Sequence, residues 1–344
     1  MKGEKNNLLA FFYRQAALAL SLPYLLIVYL RNFLYRHHYF RQEKVTVPVI
    51  SVGNLSLGGT GKTPCIEMIA RYFRQQDKIV TILSRGYGSK KGYNDEAMVL
   101  EWNLPDVPHL QGKNRAELAK IAIEELESEL ILLDDGFQHQ ALYRDLDIVL
   151  IDAMESKSLR RIFPRGSLRE PYSSLRRANI VIFTRYPLPE TGAYHELSLW
   201  ENQLQKRFPH LLILQSRHDP VQLLNAREET TNLEILKNRP IVLVSGIGNP
   251  EGFKQTIEQL GGKIVTEYIY ADHYNYSRGD IEFLENEANR WPENTLLVTT
   301  QKDLVKIQLS ELGKIPIWAL CIELVLLGKN EEWYSRLDQV ITTR

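Results

Sequence analysis

Positions 51–64 read Ser-Val-Gly-Asn-Leu-Ser-Leu-Gly-Gly-Thr-Gly-Lys-Thr-Pro, at the end of an apolar run that begins at Val47. Residues without a Cβ let successive backbone N–H groups turn toward one point and approach phosphate oxygens closely. A helix opening at the end of such a loop adds the partial positive charge of its N-terminus. In that arrangement Lys62 reaches the β- and γ-phosphates of a nucleoside triphosphate, and the Thr63 hydroxyl ligates Mg²⁺. Pro64 suits the first turn of the helix. The general phosphate-loop pattern G-x-x-x-x-G-K-[ST] has Gly where this chain has Ser56, so Gly58 and Gly59 must supply the freedom. Ser56, Gly58, Gly59, Thr60, Gly61, Lys62 and Thr63 are therefore the expected nucleotide-binding residues.

Such a loop needs a carboxylate to hold the metal, normally at the end of a neighbouring buried strand. Leu130-Ile131-Leu132-Leu133-Asp134-Asp135-Gly136 has that form. Ligands of open α/β sheets bind at the carboxyl edge, where Asp134 and Asp135 would emerge. Adjacent carboxylates repel unless a cation intervenes, which fits a Mg²⁺ site. These features establish a nucleoside triphosphate site without choosing between phosphate transfer and a membrane-recruited ATPase or GTPase switch.

The elements that position these residues follow from the texture of the chain. Apolar runs at Val47–Val52, Ile79–Leu83, Leu130–Leu133, Ile148–Ile151 and Ile180–Phe183 alternate with helix-like stretches at Pro64–Arg74 and Lys113–Glu127. That alternation predicts an α/β fold, a P-loop core with a mostly parallel sheet. The turn-rich YPLPETG after Arg185 marks a boundary. Strand-like Ile241–Ser245, Lys263–Tyr270, Thr295–Thr299 and Ile315–Ile322, with helix-like Pro250–Leu260 and Arg278–Arg290, then predict a smaller C-terminal α/β domain. The expected organisation is 1–44, 45–190 and 191–344.

Residues 1–44 differ in kind. They hold seven basic residues against two acidic ones, and 16 uncharged residues separate Arg14 from Arg31. A spanning helix needs about 20 apolar residues, and Pro23 is expected to interrupt this shorter run. No small-residue cleavage site of a secretory signal follows it. Flanking aromatics and arginines predict a helix lying in the headgroup region of a membrane. Over all 344 residues Lys+Arg and Asp+Glu are both 42, so nothing in the charge favours nucleic acid. Cys65 and Cys321 match no metal or redox spacing. No segment calls for an obligate protein partner.

The ordered set SVGNLSLGGTGKTP, SRGYG (Ser84–Gly88), the Asp-Glu of Tyr93–Ala97, DDGFQH (Asp134–His139), LREP (Leu168–Pro171), ADH (Ala271–His273) and TTQKD (Thr299–Asp303) resembles tetraacyldisaccharide 4'-kinase, the lipid A 4'-kinase of Gram-negative bacteria. The similarity runs over nearly the whole chain, and Ser in place of the first loop glycine is also that family's habit. The resemblance implies ATP-dependent, Mg²⁺-requiring phosphorylation of the 4'-hydroxyl of a tetraacylated glucosamine disaccharide 1-phosphate. It also implies work at the cytoplasmic face of the inner membrane on a lipid-linked acceptor.

On matched positions, the resemblance makes Asp95 the base and His273 its partner, with Lys62 acting on the phosphates. An imidazole holding a carboxylate gives an oriented, charge-coupled acceptor for a hydroxyl proton. Because 95 and 273 fall in different expected domains, their pairing would require domain closure. Glu170 is expected as a further metal-linked carboxylate beside Thr63, Asp134 and Asp135, and Arg169 as a phosphate contact. Gln138, His139, Arg85 and Arg115 are candidates for phosphate or acceptor contacts. Lys302-Asp303 in TTQKD resembles the base-reading pair of P-loop GTPases, or else simply starts a helix.

Overall fold

The computed structural model describes residues 8–86, 95–155 and 160–342. Tyr87 and Gly88 of SRGYG, and Tyr93 and Asn94 before Asp95, lie outside the described residues, as do Lys2, Glu4 and Lys5. The chain divides into two compact units. Unit 1 comprises 1–85, 107–217 and 325–344, and unit 2 comprises 86–106 and 218–324. The boundary expected after 190 falls inside unit 1, and the segment carrying Asp95 belongs to unit 2.

In chain order the elements begin with α1 (Leu8–Arg36), β1 (Val49–Asn54), α2 (Lys62–Arg74) and β2 (Val80–Ser84). Next come α3 (Asp95–Asn103), β3 (His109–Gln111), α4 (Arg115–Glu125), β4 (Leu130–Asp134) and β5 (Leu146–Asp152). After β6 (Ile180–Thr184) follow α5 (Gly192–Arg207), β7 (Leu212–Leu224), β8 (Thr230–Thr231) and β9 (Pro240–Ser245). The chain continues through α6 (Pro250–Gln259), β10 (Lys263–Ile269), α7 (Arg278–Ala288), β11 (Leu296–Thr300) and α8 (Gln301–Ile307). It closes with β12 (Glu311–Leu312), β13 (Ile315–Leu326) and α9 (Asn330–Thr342).

In unit 1 the strands run β7-β6-β5-β1-β4-β2-β3, parallel at each pairing. β1, β4, β5 and β6 are buried along their whole length, as expected of Val/Ile/Leu runs covered on both faces. One face packs Val49, Leu83, Ala116, Ala119 and Ile131; another cluster gathers Phe137, Val149, Phe183, Leu197 and Phe208. Chain order reverses at β1, which has β4 on one side and β5 on the other, and that reversal is where open α/β sheets place ligands. α5 and β7 went unread in the sequence. The apolar Leu211–Leu214 after the YPLPETG turn was the available signal for the strand.

Gly53 has no room to spare. A Cβ there would lie 2.7 Å from Phe137 Cβ and 2.8 Å from Phe137 N. Gly53→Ala is expected to force the β4–β5 connection outward and cost about 1–3 kcal/mol, read as a lower denaturant midpoint at unchanged m.

α1 is one continuous helix of 29 residues that passes through Pro23, contrary to the expected interruption. Its narrow inner stripe, Ala17, Ser21, Tyr24, Val28, Arg31 and Asn32, is where burial concentrates. Ser21 Oγ donates to Ile162 O at 3.1 Å and Tyr24 Oη to Arg169 O at 3.0 Å, which places these contacts across the Pro23 turn. Those external bonds hold the helix where proline removes an internal one. Leu20, Leu22, Leu26, Ile27, Leu30 and Phe33 remain exposed. Residues 14–36 are long and apolar enough to cross a membrane, by length and composition.

In unit 2 the strands run β10-β9-β11-β13, parallel at each pairing, with α6, α7 and α8 in the connections. Its core holds Leu236, Ile241, Leu243, Ile257, Leu296 and Val298 on one cluster, and Val244, Leu284, Leu297 and Leu304 on another.

Candidate active site

The loop between β1 and α2 is braced from inside. Asn54 Nδ2 donates to Thr60 Oγ1 at 3.0 Å and to Gly58 O at 3.3 Å, while Thr184 Oγ1 donates to Thr60 O at 2.9 Å. Gly61 caps α2 at φ 86° with no side-chain cap, leaving the first-turn N–H groups for a ligand. Gly58 stands at φ 117°, and a Cβ on Gly58 or Gly59 would meet nothing within 4 Å. The loop thus presents bare backbone to open space. Ser56 forms a bridge with Leu168, and Leu57 N and Arg169 N bond to Ser167 O and Leu55 O. Extended pairing needs no glycine, which explains how serine stands there.

β1 and β4 pair with Val52 opposite Asp134, so the acidic pair emerges beside the loop. Asp135, at φ 50°, lies 3.5 Å from Lys62 Nζ and accepts from Arg169 Nη1 at 2.7 Å. Burial pushes the Asp135 carboxyl up, but the charges of Lys62 and Arg169 outweigh it and hold it below its usual value. Gln138 donates to Asn54 O at 2.9 Å and accepts from Arg169, closing a ring around the loop. Asp135 Oδ1 is buried without a hydrogen bond, Thr63 and Asp134 are nearly buried, and all three supply the oxygen donors that Mg²⁺ prefers. Thr63, Asp134 and Asp135 fit a metal.

Glu170 does not join them. Its carboxylate is fully buried and accepts from Arg31 Nη2 at 2.5 Å, Asn32 Nδ2 at 3.0 Å, and Arg177 Nη1 and Nη2 at 3.1 Å. Burial raises its carboxyl, and the charges of Arg177 and Arg31 more than reverse the effect. Both Glu170 oxygens are taken by hydrogen bonds from Arg31, Asn32 and Arg177, whereas among the described residues Asp135 Oδ1 has only Lys62 at 3.5 Å. The expected metal role is corrected to an anchor for α1.

His139 sits near three arginines. Burial, then the charges of Arg115, Arg144 and Arg85, pull its imidazole down to about 4, so it is neutral at pH 7 beside a basic cluster.

In unit 2, α3 opens at Asp95, whose carboxylate accepts from His273 Nδ1 at 2.9 Å and from the Glu96 N–H at 3.0 Å. The Asp95 side chain is 5% exposed against 56% for His273, so the carboxylate is sheltered and the imidazole faces outward. Both residues belong to one unit and are already paired, which corrects the expectation that closure assembles them. Burial pushes Asp95 up, yet the His273 hydrogen bond and the charges of His273, Lys302 and Lys306 bring it down to about 2. A depressed folded-state value means this stabilisation is present above pH ~4 and is lost as pH falls toward 2. His273 is raised, chiefly by its bond to Asp95.

Sequence reasoning missed Lys306, 3.3 Å from Asp95, and the Lys302–Glu96 pair at 2.7 Å. Their signal was Lys302 and Lys306 four apart, hence on one face of a helix. Asp303 is fully buried and spent on Gly246 N, Tyr276 Oη and Thr300 Oγ1. TTQKD therefore starts α8, with Thr300 as its cap.

A sequence profile of the family described as tetraacyldisaccharide-1-P 4'-kinase matches residues 14–342. The chain belongs to this family. The Syntrophus aciditrophicus relative, named tetraacyldisaccharide 4'-kinase, is 34% identical over 334 residues, covering 88% of this chain and 87% of its own. The Desulfotalea psychrophila protein of the same name is 35% identical over 319 residues, covering 87% and 89%. The crystal structure of the Aquifex aeolicus family member in complex with ATP superposes with a TM-score of 0.75 at 31% identity, covering 96% of this chain and 99% of that one. Membership in a 4'-kinase family makes this chain a kinase with a P-loop fold, using ATP and Mg²⁺.

Proposed function

We propose that this kinase moves the γ-phosphate of ATP to the 4'-hydroxyl of a tetraacylated glucosamine disaccharide 1-phosphate, at the cytoplasmic face of the inner membrane. The observation that carries the reading is a preformed, sheltered Asp95–His273 pair in a chain that also holds a complete phosphate loop. A nucleotide switch needs only the loop.

The α2 N-terminus and the bare backbone of 58–61 cradle the phosphates, and Lys62 neutralises charge that builds on the transferring group. Mg²⁺, held by Thr63, Asp134 and Asp135, would neutralise the β- and γ-oxygens. The acceptor oxygen forms the new bond to γ-phosphorus as the bond to the β-bridging oxygen breaks and ADP leaves. The hydroxyl proton passes to Asp95, and His273 steadies the carboxylate. Arg85 and Arg115, beside the neutral His139, offer a basic surround suited to the acceptor's own phosphate. The exposed apolar face of α1 supports attachment to the bilayer that holds the acceptor.

Transfer of labelled γ-phosphate to the disaccharide 1-phosphate in detergent micelles tests this. Wild type should label the lipid, and Lys62→Ala should lower the rate by about 10²–10³. ATP hydrolysis without labelled lipid would instead select the membrane-recruited switch.

A further inference from the structure

Lys306 Nζ lies 3.3 Å from Asp95 Oδ2 and 3.4 Å from Asp303 Oδ1, with its side chain 9% exposed. A side chain so far from water is held between the two carboxylates that face it. Asp303 takes the Gly246 N–H at 3.1 Å, and Gly246 O accepts the His273 N–H at 3.1 Å. The approach is close: a Cβ on Gly246 would stand 3.1 Å from both Ala271 O and Asp303 Oδ1. His273 itself sits at φ 58°, a left-handed conformation that a non-glycine residue keeps only when its surroundings hold it. One lysine therefore touches Asp95 directly and reaches the His273 backbone through Asp303 and Gly246.

We propose that Lys306 is a positioning residue for phosphate transfer, holding Asp95 toward His273 and fixing the turn that carries His273. The proposal rests on reading Asp95 as the base. Among the described residues, the charged groups around the pair are these. Asp95 faces His273, Lys302 and Lys306; His273 also has Asp272 at 4.0 Å; Lys302 is paired with Glu96; Lys306 faces Asp95, Asp303 and the Tyr276 ring. Removing the Lys306 charge makes Asp95 hold its proton more tightly, so the acidic limb of activity moves to higher pH.

The test is the pH profile of kcat for full-length wild type, Lys306→Met, Lys306→Gln and Lys306→Arg, with Asp95→Asn alongside. Lys306→Met should lower kcat at neutral pH about tenfold, leave the KM for ATP within about twofold, and raise the acidic limb by about one pH unit. Lys306→Arg, which restores the charge, should bring the limb back. Should Lys306→Met fail to fold, Lys306→Gln gives the same reading, because it keeps a donor but not the charge. An acidic limb that stays in place in the neutral variants overturns the proposal, as does wild-type kcat in Lys306→Met. Loss of activity in Asp95→Asn with wild-type behaviour in the Lys306 variants rejects the lysine alone. Wild-type activity in Asp95→Asn rejects the base reading beneath it.

Discussion

Asp95→Asn should reduce kcat for lipid phosphorylation by about 10²–10⁴ while the KM for ATP changes little. The substitution keeps the size of the side chain and an oxygen for the Glu96 N–H, but it removes the carboxylate proposed to accept the proton. His273 then loses the charge that raises it and returns toward an ordinary imidazole. Combining it with His273→Ala sharpens the prediction. If the two residues act as a unit, the double variant should be hardly worse than Asp95→Asn alone, because both removals disable the same step. Multiplying losses would mean that His273 acts separately, for instance on the acceptor. A folded Asp95→Asn protein with near-normal turnover would remove Asp95 from the chemistry.

Glu170→Ala should cost about 3 kcal/mol of stability. The variant leaves the Arg31 and Arg177 guanidinium groups near one another in the space of a carboxylate that excluded water. The estimate sits at the low end for a broken buried pair because Arg31 is a third exposed. Asn32 loses an acceptor as well, and Asn32 also receives Gln140 Nε2 at 2.6 Å, so the loss spreads from α1 into the loop after the acidic pair. Urea unfolding, with limited proteolysis at α1, measures it. Glu170→Gln keeps acceptor capacity on one oxygen and should lose less. A Glu170→Ala protein of normal stability whose activity demands far more Mg²⁺ would return Glu170 to the metal.

Glu170 shows how a sequence misleads about a role while pointing to the right place. In Leu168–Pro171 a carboxylate follows an arginine near a phosphate site, and chemistry close at hand suggested a metal. Arg31, 139 residues earlier, claims that carboxylate, and no local pattern announces so distant a partner. Pro23 is similar. Proline weakens a helix by removing one bond, yet Ser21 and Tyr24 find partners on residues 162 and 169 that hold the turn. Local rules were outvoted by contacts made far along the chain.

The phosphate loop, the acidic strand end and the alternating α/β texture were legible in the amino-acid order alone. Each depends on short-range physics: backbone freedom at glycines, the dipole of a helix start, and the burial of continuous apolar strands. The ordered motifs also carried the family resemblance. It took the folded chain to show that the segment carrying Asp95 joins unit 2, that Asp95 meets His273 across 178 positions, and that Lys306 stands beside them. Those facts depend on which burials a folded chain can satisfy together. A buried carboxylate must find its cations wherever the fold brings them.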